Sequence, residues 1–572
     1  MSSEYQILAA NPNAPFSLKL HRGDGMTLLA MNWLSGTPPL DFVGFAIEYR
    51  EPGSDRFWGV RNRLNFPAAN GSVDSLAKTT LLAPIQKFRW VHFPRNADLP
   101  GAFTYRVTPV YMNSAGELSY GEAQQANIVL ARETWPGQLN IAYTRGFVSS
   151  QAFVDMFARN SRDISKLLPG KGVDPLTFKP THPDKQRALE WMGFEARRVI
   201  IEVLDNAVSD TAAVVRVVAF DLDDPEIVAR LEALGPRLWI IIDDSDDHGK
   251  PESPESRAAL KLAATAGSGQ IKRQRMGQLQ HNKTIVVDSP TQAVALCGST
   301  NFGWRGQFVQ SNNLVAVYGQ PAIQPFLTAF KNYWNATKAD DFRKSASTAW
   351  QSLPLPGLDA QVCFSPHRKS SGVLNSVAKD ILSAESSVLY SLAFLNILGG
   401  DLKEAIAEVN KAPNIFTYGI SDQKVGGLQV HLPSGKTAPV SVARLESKVP
   451  EPFRSEPAGG SGVRMHHKFL VIDFDKPTAR VYTGSYNFSD NADNANGENL
   501  LLLKDRRIAV SYMIQALSMF DHYHFRVVQQ NAARKGSKLQ LQRPPQPGED
   551  LAPWWDEYFT NPLKALDRKL FS

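Results

Sequence analysis

Hydrophobic and polar positions change their rhythm once along this chain. Over residues 1–132 short runs alternate between apolar and polar residues: 28–33, 44–49 and 103–111, set apart by clusters of Gly, Pro, Asn and Ser. Period-two alternation broken by turn residues predicts an all-β unit. From about residue 138 the rhythm becomes strand then helix. Residues 214–222 read as a buried strand, 224–234 as an amphipathic helix opened by Asp224 and Pro225, and 237–243 as a second strand. This is a βαβ unit. The same order returns with 387–396 as strand, 401–410 as helix and 414–421 as strand. Between the copies lies the Ser- and Pro-rich stretch 345–360, which reads as a linker between lobes.

The expected architecture is therefore multidomain. It has an N-terminal β-sandwich (1–132), two α/β lobes (138–345 and 358–545) and a C-terminal arm (546–572) rich in Trp554, Trp555, Tyr558 and Phe559. The arm is expected to pack against the body rather than stack nucleobases.

Length and composition agree with several ordinary folded domains. The chain has 572 residues, of which 43% are hydrophobic and 21% charged, and this excludes global disorder. No apolar run reaches the roughly 18 residues of a membrane span, and the first twenty residues lack the pattern of a secretory signal. Cys297 and Cys363 are the only cysteines, so neither a disulfide framework nor a thiolate zinc site is expected. The cytoplasm is the default location, with export by a specialised system left open. The net charge of +6 is small for this length and does not separate nucleic acid from lipid headgroups as partners.

The chemistry lies in a second repetition. His281-Asn282-Lys283 is followed by Asp288 and then by Gly298-Ser299-Thr300-Asn301; His466-His467-Lys468 is followed by Asp473 and then by Gly484-Ser485-Tyr486-Asn487. The copies are 185 positions apart at the histidines and 186 at the glycines. Each HxK lies at a strand-like segment, so its His and Lys, two apart, project from one face. Ser and Asn of each GSxN share a face by the same rule. Two such lobes facing each other would gather His281, Lys283, His466 and Lys468 with Ser299, Asn301, Ser485 and Asn487 around one phosphate. That set suits a phosphodiester, where catalysis is mostly positioning and stabilisation of charge on phosphoryl oxygens. Asp288 and Asp473 lie at an odd offset from their lysines and are read as structural acceptors. His467 shares that parity and is read as non-catalytic.

On these motifs the sequence resembles the phospholipase D superfamily across about 138–545. The resemblance implies two α/β lobes about a pseudo-twofold axis and a phosphohistidine intermediate. It leaves the substrate open, with phospholipid first and nucleic acid second. It also implies that a carboxylate about eleven residues past each GSxN orients the imidazole: Glu498 takes that place in the second half, Asn312 in the first. Read within each half, Glu498 supports His466 as the proton donor and Asn312 leaves His281 neutral as the nucleophile. No metal or cofactor is expected, because no additional carboxylate cluster accompanies the motifs. A monomer is expected because one chain carries both copies; a peripheral membrane contact is compatible with a lipid substrate. In residues 1–132, Trp33 as core tryptophan and Tyr105 as tyrosine corner resemble a fibronectin type III domain, read as a spacer without chemistry. The alternative from another class is a non-catalytic binding or adhesion protein built on that sandwich. Lys272, Arg273 and Arg275 are read as a solvated basic turn, with extension of the phosphate surface as the alternative, and Gly459-Gly460-Ser461-Gly462 as a candidate rim of the cleft.

Overall fold

The computed structural model describes residues 4–68, 72–74, 76–130, 132–146, 163–170, 172–392, 400–422, 428–432, 437–440 and 465–572, with residues 153, 156 and 157. The glycine-rich segment 459–462 and the end of the expected strand at 393–396 lie outside these residues.

The N-terminal unit is two antiparallel sheets. One runs Gln6–Leu8, Phe16–Arg22, Thr27–Trp33, Arg89–His92; the other centres on Ala102–Met112, flanked by Phe42–Arg50 and by Leu118–Tyr120 with Gln124–Val129. Inward positions from both sheets, among them Phe16, Leu29, Trp33, Phe45, Tyr105 and Val107, form one buried core. Tyr105 differs from expectation. Its hydroxyl lies 3.0 Å from Nδ1 of His92, a side chain on the edge strand of the opposite sheet, where a tyrosine corner would meet nearby backbone. The C-terminal aromatics complete this unit, as Trp554 packs on Phe42 and Phe88 and donates Nε1–H to the Phe42 carbonyl at 3.0 Å.

The α/β part contains two mixed sheets whose strand order matches over six strands. The first runs Leu139–Tyr143, Asn313–Tyr318, Ala293–Gly298, Thr284–Asp288, Val214–Ala219, Leu238–Asp243, Ile271–Gln274. The second runs Gln351–Ser352, Asp359–Ser365, Glu498–Lys504, Arg480–Gly484, Lys468–Ile472, Ser387–Leu392, Phe416–Asp422, Leu428–His431, Thr437–Val440. Part of the expected linker thus pairs into the second sheet as its edge.

Strand parity divides the core. Ile285 and Val287 face the outer helices of the first lobe while Val286 enters a central cluster; Phe469 and Val471 enter that same central cluster while Leu470 and Ile472 face outward. Helices Gln320–Asn335 and Arg506–Arg534 supply much of the central layer, through Phe326, Phe330, Tyr333, Tyr512, Met513 and Leu517. The outer βαβ helix Pro225–Leu234 starts as its sequence requires, with Asp224 Oδ1 accepting from the backbone N–H of Glu226 at 2.8 Å. Among the described residues no helix is long and apolar enough to cross a membrane.

Candidate active site

Two hydrogen-bonded crossings between the lobes build the site. The backbone N–H of His466 donates to the carbonyl of Ser311 at 3.0 Å, and that of Gly497 donates to the carbonyl of Leu279 at 2.9 Å. Each HxK segment is thereby stitched to the residue just before the last strand of the opposite sheet. A Cβ on Gly497 would lie 2.1 Å from Oε1 of Gln280, so a larger residue there would displace the Gln280 side chain.

The stitching decides which side chain meets which histidine. Nδ1 of His281 lies 2.9 and 2.7 Å from the two carboxylate oxygens of Glu498. Nδ1 of His466 lies 2.8 Å from Oδ1 of Asn312 and 3.1 Å from the carbonyl of Ser299. The expectation that Glu498 supports His466 and Asn312 serves His281 is therefore corrected. Each orienting residue serves the histidine of the other lobe, because the crossing strands, not the chain order, bring them together.

The two imidazoles face each other with ring centres 6.4 Å apart. Lys468 Nζ lies 2.9 Å from Nε2 of His466, and Lys283 Nζ donates to the His281 carbonyl at 2.5 Å while sitting 4.7 Å above the ring of Phe220. All four side chains are at least nine-tenths buried. Burial, then the nearby lysines, holds both imidazoles well below the ordinary histidine range. Burial brings Lys283 down to about 8, opposed by Glu498, Asp221 and Asp243, and pushes Glu498 up to about 8, opposed chiefly by Lys283. The site resists carrying charge in the absence of an anion.

The GSxN residues divide between support and site. Ser299 Oγ donates to Asn313 Oδ1 at 2.7 Å, and Ser485 Oγ accepts from the backbone N–H of Asn499 at 3.0 Å, so both serines brace the last strands. The preceding glycines allow this closeness: Gly298 and Gly484 have φ of 135° and 150°, and a Cβ there would lie 2.5 and 2.2 Å from the carbonyls of Asn313 and Asn499. Asn301 donates Nδ2–H to Asp221 at 2.6 Å. Oδ1 of Asn301 and of Asn487 are buried without hydrogen-bond partners among the described residues.

The aspartates of the motif lie elsewhere. Asp473, at φ 53°, accepts from the backbone N–H groups of Glu385, Ser386 and Ser387, closing the turn before Ser387–Leu392. Asp288 is half-buried, 3.5 Å from Arg216. His467 points into the central core beside Tyr143 and Phe469, where burial lowers it to about 3. Lys272 caps helix Gln320–Asn335 through the carbonyls of Tyr333, Trp334 and Ala336, and Arg273 holds the carbonyls of Asp243 and His248, so neither belongs to a solvated turn or a phosphate surface.

Sequence reasoning missed a cluster beside His281. Ligand atoms of Asp221, His248 and Glu255 lie within 4.8 Å of one another, a donor set able to hold a divalent ion, so the expectation of no additional carboxylate cluster is corrected. Nδ1 of His248 lies 3.0 Å from fully buried Asp243, which also accepts from the N–H of Gln280 at 2.6 Å. Asp243 leads the causes that raise His248 to about 9, against burial as the largest opposing effect. Phe220 lies between the rings of His248 and His281, at 4.5 and 4.6 Å. No spacing signal links residues 221, 243, 248 and 255; Asp221 follows strand Val214–Ala219, Asp243 ends strand Leu238–Asp243, His248 lies in the turn after it and Glu255 in the first turn of helix Pro254–Ala266.

Comparison with known proteins agrees at the level of the α/β part. The model of a family described as cardiolipin synthase, PLD-like domain, matches residues 200–334 and 436–519. A phospholipase D of Rickettsia prowazekii (strain Madrid E) is 46% identical over 48 residues, covering 8% of this chain and 22% of that protein. A phospholipase D of Rickettsia bellii (strain RML369-C) is 27% identical over 160 residues, covering 27% of this chain and 66% of that protein. The first of these matches thus spans about a fifth of its relative's length. Among solved structures, phosphatidylserine synthase of Haemophilus influenzae Rd KW20 matches with 14% identity over 59% of this chain and 85% of its own, at a TM-score of 0.39. The phospholipase D family member Nuc of Salmonella typhimurium matches with 26% identity over 24% of this chain and 87% of its own, at 0.20.

Proposed function

We propose that this chain, of the phospholipase D-like superfamily by its family match and relatives, hydrolyses a phosphodiester through a covalent phosphohistidine. The observation that carries the reading is the pair of facing imidazoles, each held at Nδ1 from the opposite lobe. Holding Nδ1 leaves Nε2 of His281 for a bound phosphorus, while Nε2 of His466 lies 2.9 Å from Lys468 Nζ. Nε2 of His281 attacks, and the P–O bond to the leaving alcohol breaks as that oxygen takes a proton from His466. Water then attacks the phosphorus, giving its proton back to His466 and releasing His281.

The roles expected from the sequence are kept, on different grounds. A carboxylate at Nδ1 makes Nε2 a better nucleophile and stabilises the cationic phosphohistidine, which assigns attack to His281 with Glu498. His466, against Asn312 and Lys468, is the proton donor; an anionic diester in the cleft raises its proton affinity. Lys283, Lys468, Asn301 and Asn487 stabilise the phosphoryl oxygens, and Ser299 and Ser485 fix the strands that carry the orienting groups.

A phospholipid is the substrate we favour, releasing phosphatidic acid and a headgroup alcohol, in line with the relatives named phospholipase D. The repeated strand order is read as a duplicated lobe about a pseudo-twofold axis, and the N-terminal sandwich as a fibronectin type III-like spacer. The test offers purified protein mixed phospholipids in one reaction and single- and double-stranded DNA in another, with His281→Ala as control. Headgroup release abolished in the variant is expected. Cleavage of DNA alone would move the substrate to nucleic acid, and no diester cleavage would leave a binding protein.

A further inference from the structure

An amide serves a phosphoryl oxygen from one edge only. Asn301 presents an acceptor on one edge and two N–H donors on the other, and the donors alone favour an anion. Asp221 decides which edge is offered. Its Oδ2 accepts one N–H of Asn301 Nδ2 at 2.6 Å, which leaves the second hydrogen of the same nitrogen for a bound phosphate. Turned the other way, the amide would set its oxygen against the carboxylate.

The carboxylate needs a countercharge to stay there. Asp221 stands close to Glu255, and a bound phosphodiester adds further negative charge, so like charges disfavour its position. His248 offsets them. Its Nε2 lies 3.4 Å from Asp221 Oδ1, and its Nδ1 lies 3.0 Å from Oδ2 of fully buried Asp243. A ring nitrogen faces a carboxylate oxygen as a donor, so a ring set between two carboxylates is held as imidazolium. Asp243 is fixed in turn by the backbone N–H of Gln280 at 2.6 Å. The His248 carbonyl is held by Arg273 Nη2 and Ser253 Oγ, each at 2.7 Å, so the turn does not depend on its imidazole. The contacts form one line: Gln280, Asp243, His248, Asp221, Asn301. It runs from the residue before His281 to the amide of the first GSxN.

We infer that His248 is a positioning residue of the first lobe: its imidazolium holds Asp221 so that Asn301 turns its N–H edge toward the phosphoryl group. The inference rests on the phosphodiester reading above and adds to it a residue outside both motifs. His248 supplies Asp221 with the positive charge that a divalent ion could also bring. An ion is therefore the rival holder of this carboxylate, and the test separates the two.

The test measures steady-state cleavage of bis(para-nitrophenyl) phosphate by the full chain. The variants are His248→Ala, His248→Gln, which carries an amide donor toward Asp221, and Asn301→Ala alone and combined with His248→Ala, with His281→Ala as control. His248→Ala is expected to lose about tenfold in kcat with KM changed by less than about threefold. Its melting temperature should stay near wild type, because the ring is 20% exposed and the turn is held through its backbone. His248→Gln should recover part of the loss, and the double variant should be about as slow as Asn301→Ala alone. Wild-type kcat in His248→Ala beside an inactive His281→Ala would overturn this inference alone. Cleavage retained by His281→Ala would overturn the functional reading and this inference with it. No recovery in His248→Gln, or losses that multiply in the double variant, would also overturn it. So would a wild-type kcat lost to EDTA and restored by Mg²⁺, since the ion would then hold Asp221.

Discussion

Glu498, on the last strand of the second lobe, holds Nδ1 of His281 in the first lobe at 2.7 Å. Each lobe therefore carries the orienting group for the other, and neither half forms a complete site. On the proposed mechanism Glu498→Gln retains an acceptor but loses the charge that would stabilise a phosphohistidine. Turnover is expected to fall about a hundredfold or more with melting temperature nearly unchanged, whereas Asn312→Ala, which loosens an amide contact to His466, costs about tenfold. Steady-state kinetics beside a thermal melt checks both. Equal effects in the two variants would contradict the unequal roles.

The pH profile follows from burial. Both imidazoles lie below the ordinary histidine range, so the neutral nucleophile persists in mild acid; because His466 takes up its proton with the bound anionic diester, the acid limb is expected in kcat, below about pH 6.5. Lys283 titrates near 8, so charge stabilisation is lost as pH rises through that value. Lys283→Arg, which stays charged, should move the alkaline limb upward even at reduced turnover. An alkaline limb unmoved by that change would assign it to another group.

The motif aspartates should separate by stability rather than by activity. Asp473 is fully buried and accepts three backbone N–H bonds, so Asp473→Asn is expected to cost about 1–3 kcal/mol. Asp288 is half-buried in a longer ion pair, and Asp288→Asn should cost under about 1 kcal/mol. Denaturant titration decides. An Asp473→Asn protein of wild-type stability and no activity would mean that this residue acts in the chemistry.

On the proposed mechanism two lysines and two histidines would supply nucleophile, acid and countercharge, so full turnover is expected in excess EDTA. Activity lost to chelator and restored by Mg²⁺ or Ca²⁺ would contradict this and direct attention to Asp221, His248 and Glu255, the donor set beside His281.

Much of the fold was legible because each signal was local. Period-two runs marked the N-terminal strands, Asp224 and Pro225 marked a helix start, and the doubled HxK and GSxN marked matching positions on the two mixed sheets. Parity led to the expectation of His467 and Asp473 on the face opposite the lysines; Asp473 accepts from the Glu385 N–H, and His467 meets Gln515. The partnership of Glu498 with His281 was not legible, since it depends on Gly497 pairing with Leu279 and Gln280 across the lobes. The cluster of Asp221, Asp243, His248 and Glu255 was hidden for the same reason: it is gathered by the ends of two adjacent strands with the turn and helix start that follow, and not by any spacing in the chain. Nor could spacing show that Lys272 and Arg273 spend their charge on backbone carbonyls.

The central claim is attack by His281 with proton transfer by His466. Its most direct measurement is to mix enzyme with a diester labelled at phosphorus, quench without acid during turnover, and map the labelled peptide. The account requires the label on the peptide containing His281, with its accumulation lost in His281→Ala. Label on His466, or normal turnover with no labelled histidine at all, would contradict it.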